Sequence, residues 1–463
     1  MILDDPSLMS SQTPKGLPGA VSAALERHER EQMPRLRVLW AYFLNPADVS
    51  WWRDAAAGLS RSARARLGRT ARLAQERGLP ARFFSGTQVR PAVGDARREV
   101  VIENDIGWRV RAMVDYLVGR PVRVRSTAED PGVRDAAEEA VRAAWDGSGG
   151  HTLLQDAALV GHVYGHVDFV VRFDGRGLDQ ELAGVGEARE RLVMAARRVR
   201  IEMVDATRGV AVLDGGDYRR IAAYAVRVER AGGDGRRLVD VEVFTPDGSR
   251  VYRGDERGLR AAGEVVENAV SPGRVAVVHV QNAPMPLQYE GGSEVEPLIP
   301  LQDELNTRLS DRANRVTLQS FKMYLAKGVE GFERTAVGPG TVWSTDNPEA
   351  SITAFGGDAA SPSEDAHVAE VREALDKASG VPPLATGAIG GRIGNLTSEN
   401  ALRLTLQGLV TRTARKRVAY GRGISAVSEL VLSALDRAGV LATRVSERGV
   451  RVEWQDAAGL EGT

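Results

Sequence analysis

The chain has no cysteine, which excludes a disulfide framework and any thiolate metal site and fits assembly in a reducing cytoplasm. It has no surplus of positive charge either: 61 Lys and Arg stand against 62 Asp and Glu, for a formal net charge of −1. That balance argues against a protein that grips nucleic acid through a basic surface, but not against one that surrounds DNA without holding it. No run of about eighteen apolar residues occurs, so no membrane span is expected. The opening MILDDPSLMSS lacks the basic segment and apolar core of a signal peptide. Lysine is scarce beside arginine, which reads as the codon bias of a GC-rich genome rather than as a recognition device. No Walker motif, no GxSxG, no HExxH and no internal repeat is visible. What remains is ordinary for a soluble globular protein, with 43% hydrophobic and 27% charged residues. Its 463 residues suffice for two or three domains or one elaborate one.

The most informative stretch runs from Gly291 to Gly328. Ser293 and Glu296 have the spacing of a capping box. Pro297 and Pro300 fall in what would be the first turns, where a missing N–H costs little. Leu298, Leu301, Leu305, Leu309, Ala313 and Val316 recur every three or four residues, which predicts a helix from about Pro300 to Ala326, roughly 40 Å long. The opposite face alternates in sign: Asp303, Glu304, Arg308, Asp311, Arg312 and Arg315. By periodicity alone this is a long amphipathic helix on a large domain.

Upstream, residues 1–20 are rich in Ser, Pro and Gly and read as a flexible arm. Val21 to Leu39 reads as a charged helix, followed by an anchoring aromatic cluster of Tyr42, Phe43, Trp51 and Trp52. Ser60 to Arg77 is dense in Arg and Ala, a solvated helix or a partly unfolded stretch. From Arg98, the spacing of Ile102, Ile106, Val110, Val114 and Leu117 predicts a helix. Gly119, able to take a left-handed cap, and Pro121 end it, and Val122 and Val124 then alternate as in a strand. Helices are expected over Pro131 to Trp145 and His151 to Val160. Residues 199–290 read as short alternating strands split by DGGD, GGDG and PDG turns.

The sharpest enzyme-like signal is His162 and His166, four apart, with Asp168 close by. On one helix they would share a face and suit zinc in a metal-dependent hydrolase. Gly165 and the alternation of Val167 to Phe173 argue instead for a helix-to-strand junction that points the imidazoles apart. The four glycines of LATGAIGGRIGNLTSEN lack the Lys-Ser/Thr pair of a P-loop, so a loop between helices is expected.

Downstream, Val329 to Ala360 reads as short strands on tight turns. Ser361-Pro362-Ser363-Glu364 starts a helix with Val368, Val371, Leu375 and Ala378 inward, ended by Gly380 and Pro382-Pro383. A last long helix follows from Ser398 to about Arg437. Leu402, Leu406, Leu409, Ile424, Val427 and Val431 mark its buried side, Gly408, Gly421 and Gly423 are kink points, and Arg412, Arg415, Lys416 and Arg417 form a solvated basic face. RVEW near the end is a strand.

Three segments carry a resemblance to the portal (head-to-tail connector) proteins of tailed double-stranded DNA bacteriophages, siphophage type. One is Gly292, Ser293, Glu296, Pro297, Leu298, Ile299, Leu301, Leu305, Asn306, Ser310 and Asp311. The second is Asn104, Tyr116, Leu117, Gly119, Arg120, Pro121 and Val122. The third is Gly380 to Pro383. The resemblance spans roughly Arg98 to Trp454.

It implies an α+β portal fold. A flexible arm (1–20) would lead into an α/β wing (21–297), a stem helix (298–326), a β-rich clip (327–361) and a second stem helix (362–379). A tunnel loop (380–396), a long kinked wing helix (397–440) and a C-terminal strand and tail (441–463) would follow, with little or no crown. It further implies a homo-oligomeric ring of about twelve subunits at one capsid vertex, assembled in the bacterial cytoplasm and retained in the virion. Its partners would be the large terminase subunit, head–tail connector or adaptor proteins, and major capsid and scaffold proteins. Double-stranded DNA would pass without sequence specificity. No catalytic residue, metal or cofactor is implied. Thr386, Arg392 and Asn395 would lie in the DNA channel, and Glu333, Arg334, Trp343, Asp346 and Phe355 at the docking surface of the clip.

Overall fold

The computed structural model describes residues 17–45, 101–231, 237–255, 258–320, 323–328, 346–355, 362–386 and 399–455. Helices and strands mix along the chain in the α+β manner. The helices α1 (Gly19–Arg27) and α2 (Met33–Leu44) are joined through a π-helical turn, His28–Gln32. The expected helix therefore extends at both ends, and Tyr42 and Phe43 are buried on it; Trp51, Trp52 and the Ser60 to Arg77 stretch lie outside the described residues.

Next come α3 (Asp105–Val118), β1 (Arg123–Ser126), α4 (Pro131–Gly147), α5 (Gly150–Tyr164) and β2 (His166–Phe173). Then follow α6 (Leu178–Leu182), α7 (Ala188–Arg197), β3 (Val199–Asp205), β4 (Gly209–Leu213), β5 (Ile221–Ala231), β6 (Arg237–Phe244), β7 (Gly248–Asp255), β8 (Gly258–Glu267) and β9 (Val277–Gln281). The order closes with α8 (Ile299–Ser320), β10 (Met323–Lys327), β11 (Ser351–Phe355), α9 (Pro362–Ser379), α10 (Glu399–Arg437) and β12 (Val450–Glu453). No helix among the described residues is long and apolar enough to cross a membrane.

The chain divides into two compact units. The first takes residues 1–49, 105–299 and 376–463. Its centre is the antiparallel sheet β3–β2–β9. The middle strand β2 is buried along most of its length, as its apolar run requires. Phe169 of that strand packs edge-on to Trp145 of α4, and Ile424, Val427 and Val431 of α10 join the same core. Helix α4 has a complete start: the Asp130 carboxylate accepts from Val133 N at 2.9 Å, and Pro131 takes the first position. Strands β4 to β8 form a five-stranded antiparallel meander. Alternation along β5 sends Ala225 to the side covered by Val21 and Leu25 of α1, and Tyr224 and Val226 to the side of Val170 and Val204. Strand β12 pairs with β1.

Gly119 accepts a different explanation from the expected left-handed cap. It is not among the residues with positive φ; a Cβ there would overlap the carbonyl oxygen of Asp115, so space rather than φ selects glycine. Helix α10 is assigned without a break through Gly408, Gly421 and Gly423, and at Gly423 a Cβ would run into Val280 of β9.

The second unit takes residues 50–104 and 300–375. Two expectations for α8 change here. The helix ends at Ser320, and Met323–Lys327 is a strand paired antiparallel with Ser351–Phe355, Met323 opposite Phe355. No Gly or Pro announces that end; a partner strand distant in sequence supplies it. The inward face also differs. Gln302, Asn306 and Ser310 are buried, whereas Val316 is exposed. The three polar residues bind the backbone of 101–103. Gln302 Nε2 donates to Glu103 O at 2.7 Å, Glu103 N donates to Asn306 Oδ1 at 3.0 Å, and Val101 N donates to Ser310 Oγ at 2.9 Å. Backbone outside a helix or sheet needs partners, and these side chains provide them for 101–103. On α9, Val368, Val371 and Leu375 are buried, the stripe its spacing predicts.

Candidate functional site: the root of the loop after α9

Helix α9 ends where the expected channel loop begins. Gly380 has φ +69°, a left-handed cap that glycine adopts without strain; its N–H donates to Asp376 O at 2.8 Å. Two arginines hold this end. Arg412 of α10 donates to Ser379 O at 2.8 Å and to Ala378 O at 2.9 Å, covering the last carbonyls of the helix where positive charge is favoured. Arg109 of α3 is only 2% exposed. Its guanidinium donates to Val381 O at 2.6 Å, pairs with Asp376 at 2.7 Å and Asp105 at 3.7 Å, and lies 4.5 Å over the Trp108 ring. The first turn of the loop, Pro383–Thr386, is thus reached from a fixed base.

Behind Arg412 lies a buried ion pair. Lys416, 5% exposed, meets Glu294 at 2.7 Å, and Arg412 stands 3.6 Å from the other carboxylate oxygen. Burial pulls the Lys416 ammonium below its ordinary pKa, and the Glu294 carboxylate opposes that shift. Glu294 is itself placed by α5: its N–H donates to His162 O at 2.9 Å, and Ser293 Oγ donates to Val163 O at 2.6 Å. Ser293 Oγ also accepts from Val295 N at 3.1 Å and from Glu296 N at 3.4 Å, at the start of the 3₁₀ turn Glu296–Leu298. The expected return bond from Glu296 gives way to Arg35, whose guanidinium it meets at 2.6 Å. The basic face of α10 is therefore solvated only in part: Arg415 is exposed and Arg412 half-buried, whereas Lys416 faces inward and Arg417 donates to Gln455 O beside Trp454.

The histidines part at Gly165, which has φ +98° and closes α5. A Cβ there would overlap Gly291 O, so this junction requires glycine twice over. His162 Nδ1 bonds Ala158 O at 2.6 Å and its ring stacks near Tyr420. His166 belongs to a different set, 5.2 Å from the His279 ring. There the buried Asp168 carboxylate is met by His279 Nδ1 at 2.6 Å, Tyr224 Oη at 2.7 Å and Tyr289 Oη at 3.2 Å. Burial pushes Asp168 up, but the charge and hydrogen bond of His279, with His166 and Tyr224, outweigh it and leave the carboxyl below its usual range. Burial lowers His166 to about 4 and His162 well below its ordinary value. Among the described residues no group of three or more His, Asp or Glu is placed to hold a metal ion. The two sets are interior polar networks in which His162 Nε2 and His166 Nδ1 have no hydrogen-bond partner.

The profile of the family described as phage portal protein, SPP1 Gp6-like, matches residues 109–458. The chain belongs to that family. Portal proteins are structural rather than catalytic. Among solved structures, the chain resembles one from the virion of a native gene transfer agent particle, at 13% identity, covering 75% of this chain and 79% of that one, with a TM-score of 0.41. A second resemblance is to a chain from the neck of an empty particle of that kind computed with C6 symmetry, at 13% identity, 77% and 83% coverage and a TM-score of 0.43. Comparison with curated proteins gives no match.

Of the portal residues expected to line the channel, Thr386 closes the 3₁₀ turn after α9, while Arg392 and Asn395 lie outside the described residues. Of the expected docking residues, Asp346 is exposed ahead of β11 and Phe355 ends that strand, while Glu333, Arg334 and Trp343 lie outside the described residues. Sequence reasoning missed Arg109, Glu294 and the inward Lys416. One signal was present: Leu409, Thr413, Lys416, Tyr420, Ile424 and Val427 are spaced three or four apart, so Lys416 sits on the apolar stripe itself.

Proposed function

We propose that this portal protein closes into a ring of about twelve subunits at one capsid vertex and conducts double-stranded DNA through its axis. In that reading residues 21–297 with α10 and β12 serve as wing, α8 and α9 as stem, and the hairpin β10–β11 with the residues between its strands as clip. The loop after α9 lines the narrow part of the channel. The observation that carries the reading is the helix–hairpin–helix order of α8, β10, β11 and α9, followed by a loop whose root is clamped by Arg109 and Arg412. A loop beside moving DNA needs such a base, because force on its tip is otherwise spent bending the chain.

The near-neutral charge supports sliding rather than gripping, since each neutralised phosphate adds salt-dependent affinity. Arg392 is the residue that comes nearest passing DNA. Hydrolysis belongs to a separate terminase ATPase docked at the clip, and this chain contributes no catalytic group. After packaging the same surface takes the head–tail connector. Capsid and scaffold proteins are further partners, and assembly takes place in the bacterial cytoplasm before the ring becomes part of the virion.

Co-sedimentation of rings with the large terminase subunit tests the assignment. Alanine at Glu333, Arg334 and Asp346 together is expected to abolish terminase retention while rings persist. Retention unchanged in that variant would remove the clip assignment.

A further inference from the structure

The Asp168 carboxylate lies in the middle strand β2 with 1% of its surface exposed, and an anion there needs a counter-charge. His279 Nδ1 and Tyr289 Oη meet its Oδ1, and Tyr224 Oη of β5 meets its Oδ2. The tyrosines are neutral donors, so the charge has to come from elsewhere. His166 of β2 stands with its ring 5.2 Å from that of His279 and has no partner at Nδ1. His28 of the π-helical turn is bonded to Ala206 O, and Arg35 of α2 is paired with Glu296. Glu290, next to Tyr289, adds a further negative charge. Helix α10 lies on the other face of β9, against Val280 and Asn282. His279, directly opposite Asp168 in the sheet, is the group that can carry the counter-charge in contact with the carboxylate.

Both ring nitrogens of His279 face acceptors. Nδ1 is 2.6 Å from Asp168 Oδ1, and Nε2 is 2.7 Å from the carbonyl oxygen of Tyr289. The carbonyl has no proton to give, and a carboxylate that gathers three donors is held in its ionised form. A neutral imidazole has one N–H, whereas this placement uses two. The ring also stacks on Tyr289 with centroids 3.8 Å apart and planes 21° from parallel, a contact in which a cation gains from the aromatic face. Tyr289 belongs to the turn 282–292, which needs holding. Leu287 in that turn has φ +63°, a left-handed conformation that is unfavourable for a residue with a Cβ. The other ties are few: Gln281 Nε2 donates to Gln288 O and Tyr289 O, both at 2.8 Å, and Gly292 N donates to Ala283 O at 2.8 Å.

We propose that His279 is a proton-operated latch on the turn 282–292. As the imidazolium it ties β2 to the turn, with one N–H on Asp168 and the other on the Tyr289 carbonyl. With a single proton it keeps its bond to the Asp168 anion and turns a lone pair on the Tyr289 carbonyl, and the turn loosens. The His279 side chain is 17% exposed, so the proton can pass to solvent. Histidine changes charge between pH 5 and 8, so the turn is held at the acid end of that range and released at the alkaline end. The latch lies within one chain and does not rest on the ring reading above.

Hydrogen exchange of the full chain at pH 6 and pH 8.5, read by mass spectrometry and corrected for the intrinsic rate at each pH, tests the latch. Protection of peptides covering 282–292 is expected to fall about tenfold at the higher pH, the effect of unmaking one shielded hydrogen bond, while peptides from β5 and β6 keep theirs. Equal protection of 282–292 at the two pH values in the wild-type chain would overturn the proposal, whatever any variant does. His279→Gln, which cannot take up the second proton, is expected to show the low protection at both pH values. His166→Leu is expected to keep the wild-type difference. A pH dependence that survives His279→Gln, or one that disappears in His166→Leu, would place the proton on another group and contradict the latch.

Discussion

In the first unit Lys416 and Glu294 meet at 2.7 Å with almost no exposure, and Arg109 sits sealed among Asp105, Asp376 and Trp108. In the second, Arg312 pairs with Asp365 and His367 with Glu304 along the open faces of α8 and α9. Both units use ion pairs, but the medium around them differs. A buried pair that loses one partner leaves an unsolvated charge, whereas an exposed pair returns to water and salt. The buried pairs of the first unit therefore fix geometry, including the root of the loop after α9. The second unit's pairs lie on open faces, while Leu305, Val368, Val371 and Leu375 are buried.

The largest way to break this contrast is Lys416→Met. It leaves the buried Glu294 with only Arg412, 3.6 Å away, and should cost about 3 kcal/mol in urea unfolding. The double variant Lys416→Met with Glu294→Leu should recover most of that loss, because the stranded carboxylate is gone.

Acid comes next. His166 titrates at about 4 in the folded chain, below its unfolded value, so the unfolded state takes up the proton first. Stability from this group is complete above pH 6.5 and falls as pH drops towards 4, by about 3 kcal/mol. Asp168, depressed in the fold, loses its own contribution at still lower pH. His166→Leu should flatten the slope between pH 6.5 and 4 in a chemical-denaturation series.

Gly380→Ala forces a Cβ into a left-handed cap beside Arg412 and should cost about 1–2 kcal/mol. Limited proteolysis of the 380–398 segment should quicken in step. The smallest effect is expected from Arg312→Ala, under about 1 kcal/mol and vanishing at high salt. A loss as large as that of Lys416→Met would erase the distinction between the units.

Much of the architecture could be read locally. Asp130-Pro131 and Ser361-Pro362 announce helix starts by capping chemistry. The long helix from Glu399 and the alternating runs between Val199 and Gln281 declare their periods. The family resemblance came from short motifs in a fixed order. What local reading could not supply was the identity of partners far along the chain. Gln302, Asn306 and Ser310 look like a solvent face until the backbone of 101–103, some two hundred residues away, is seen against them. The end of α8 has no breaker because β11 sets it. Arg412 and Lys416 look like a basic surface because composition says nothing of Glu294. The parting of the two histidines was legible, since Gly165 marks a junction that no helix would continue through.

Negative-stain electron microscopy of the purified full chain tests the central claim most directly. The account predicts rings with a central hole, built from about twelve copies of the 49.9 kDa chain. Particles that stay the size of a single chain at every concentration would contradict it.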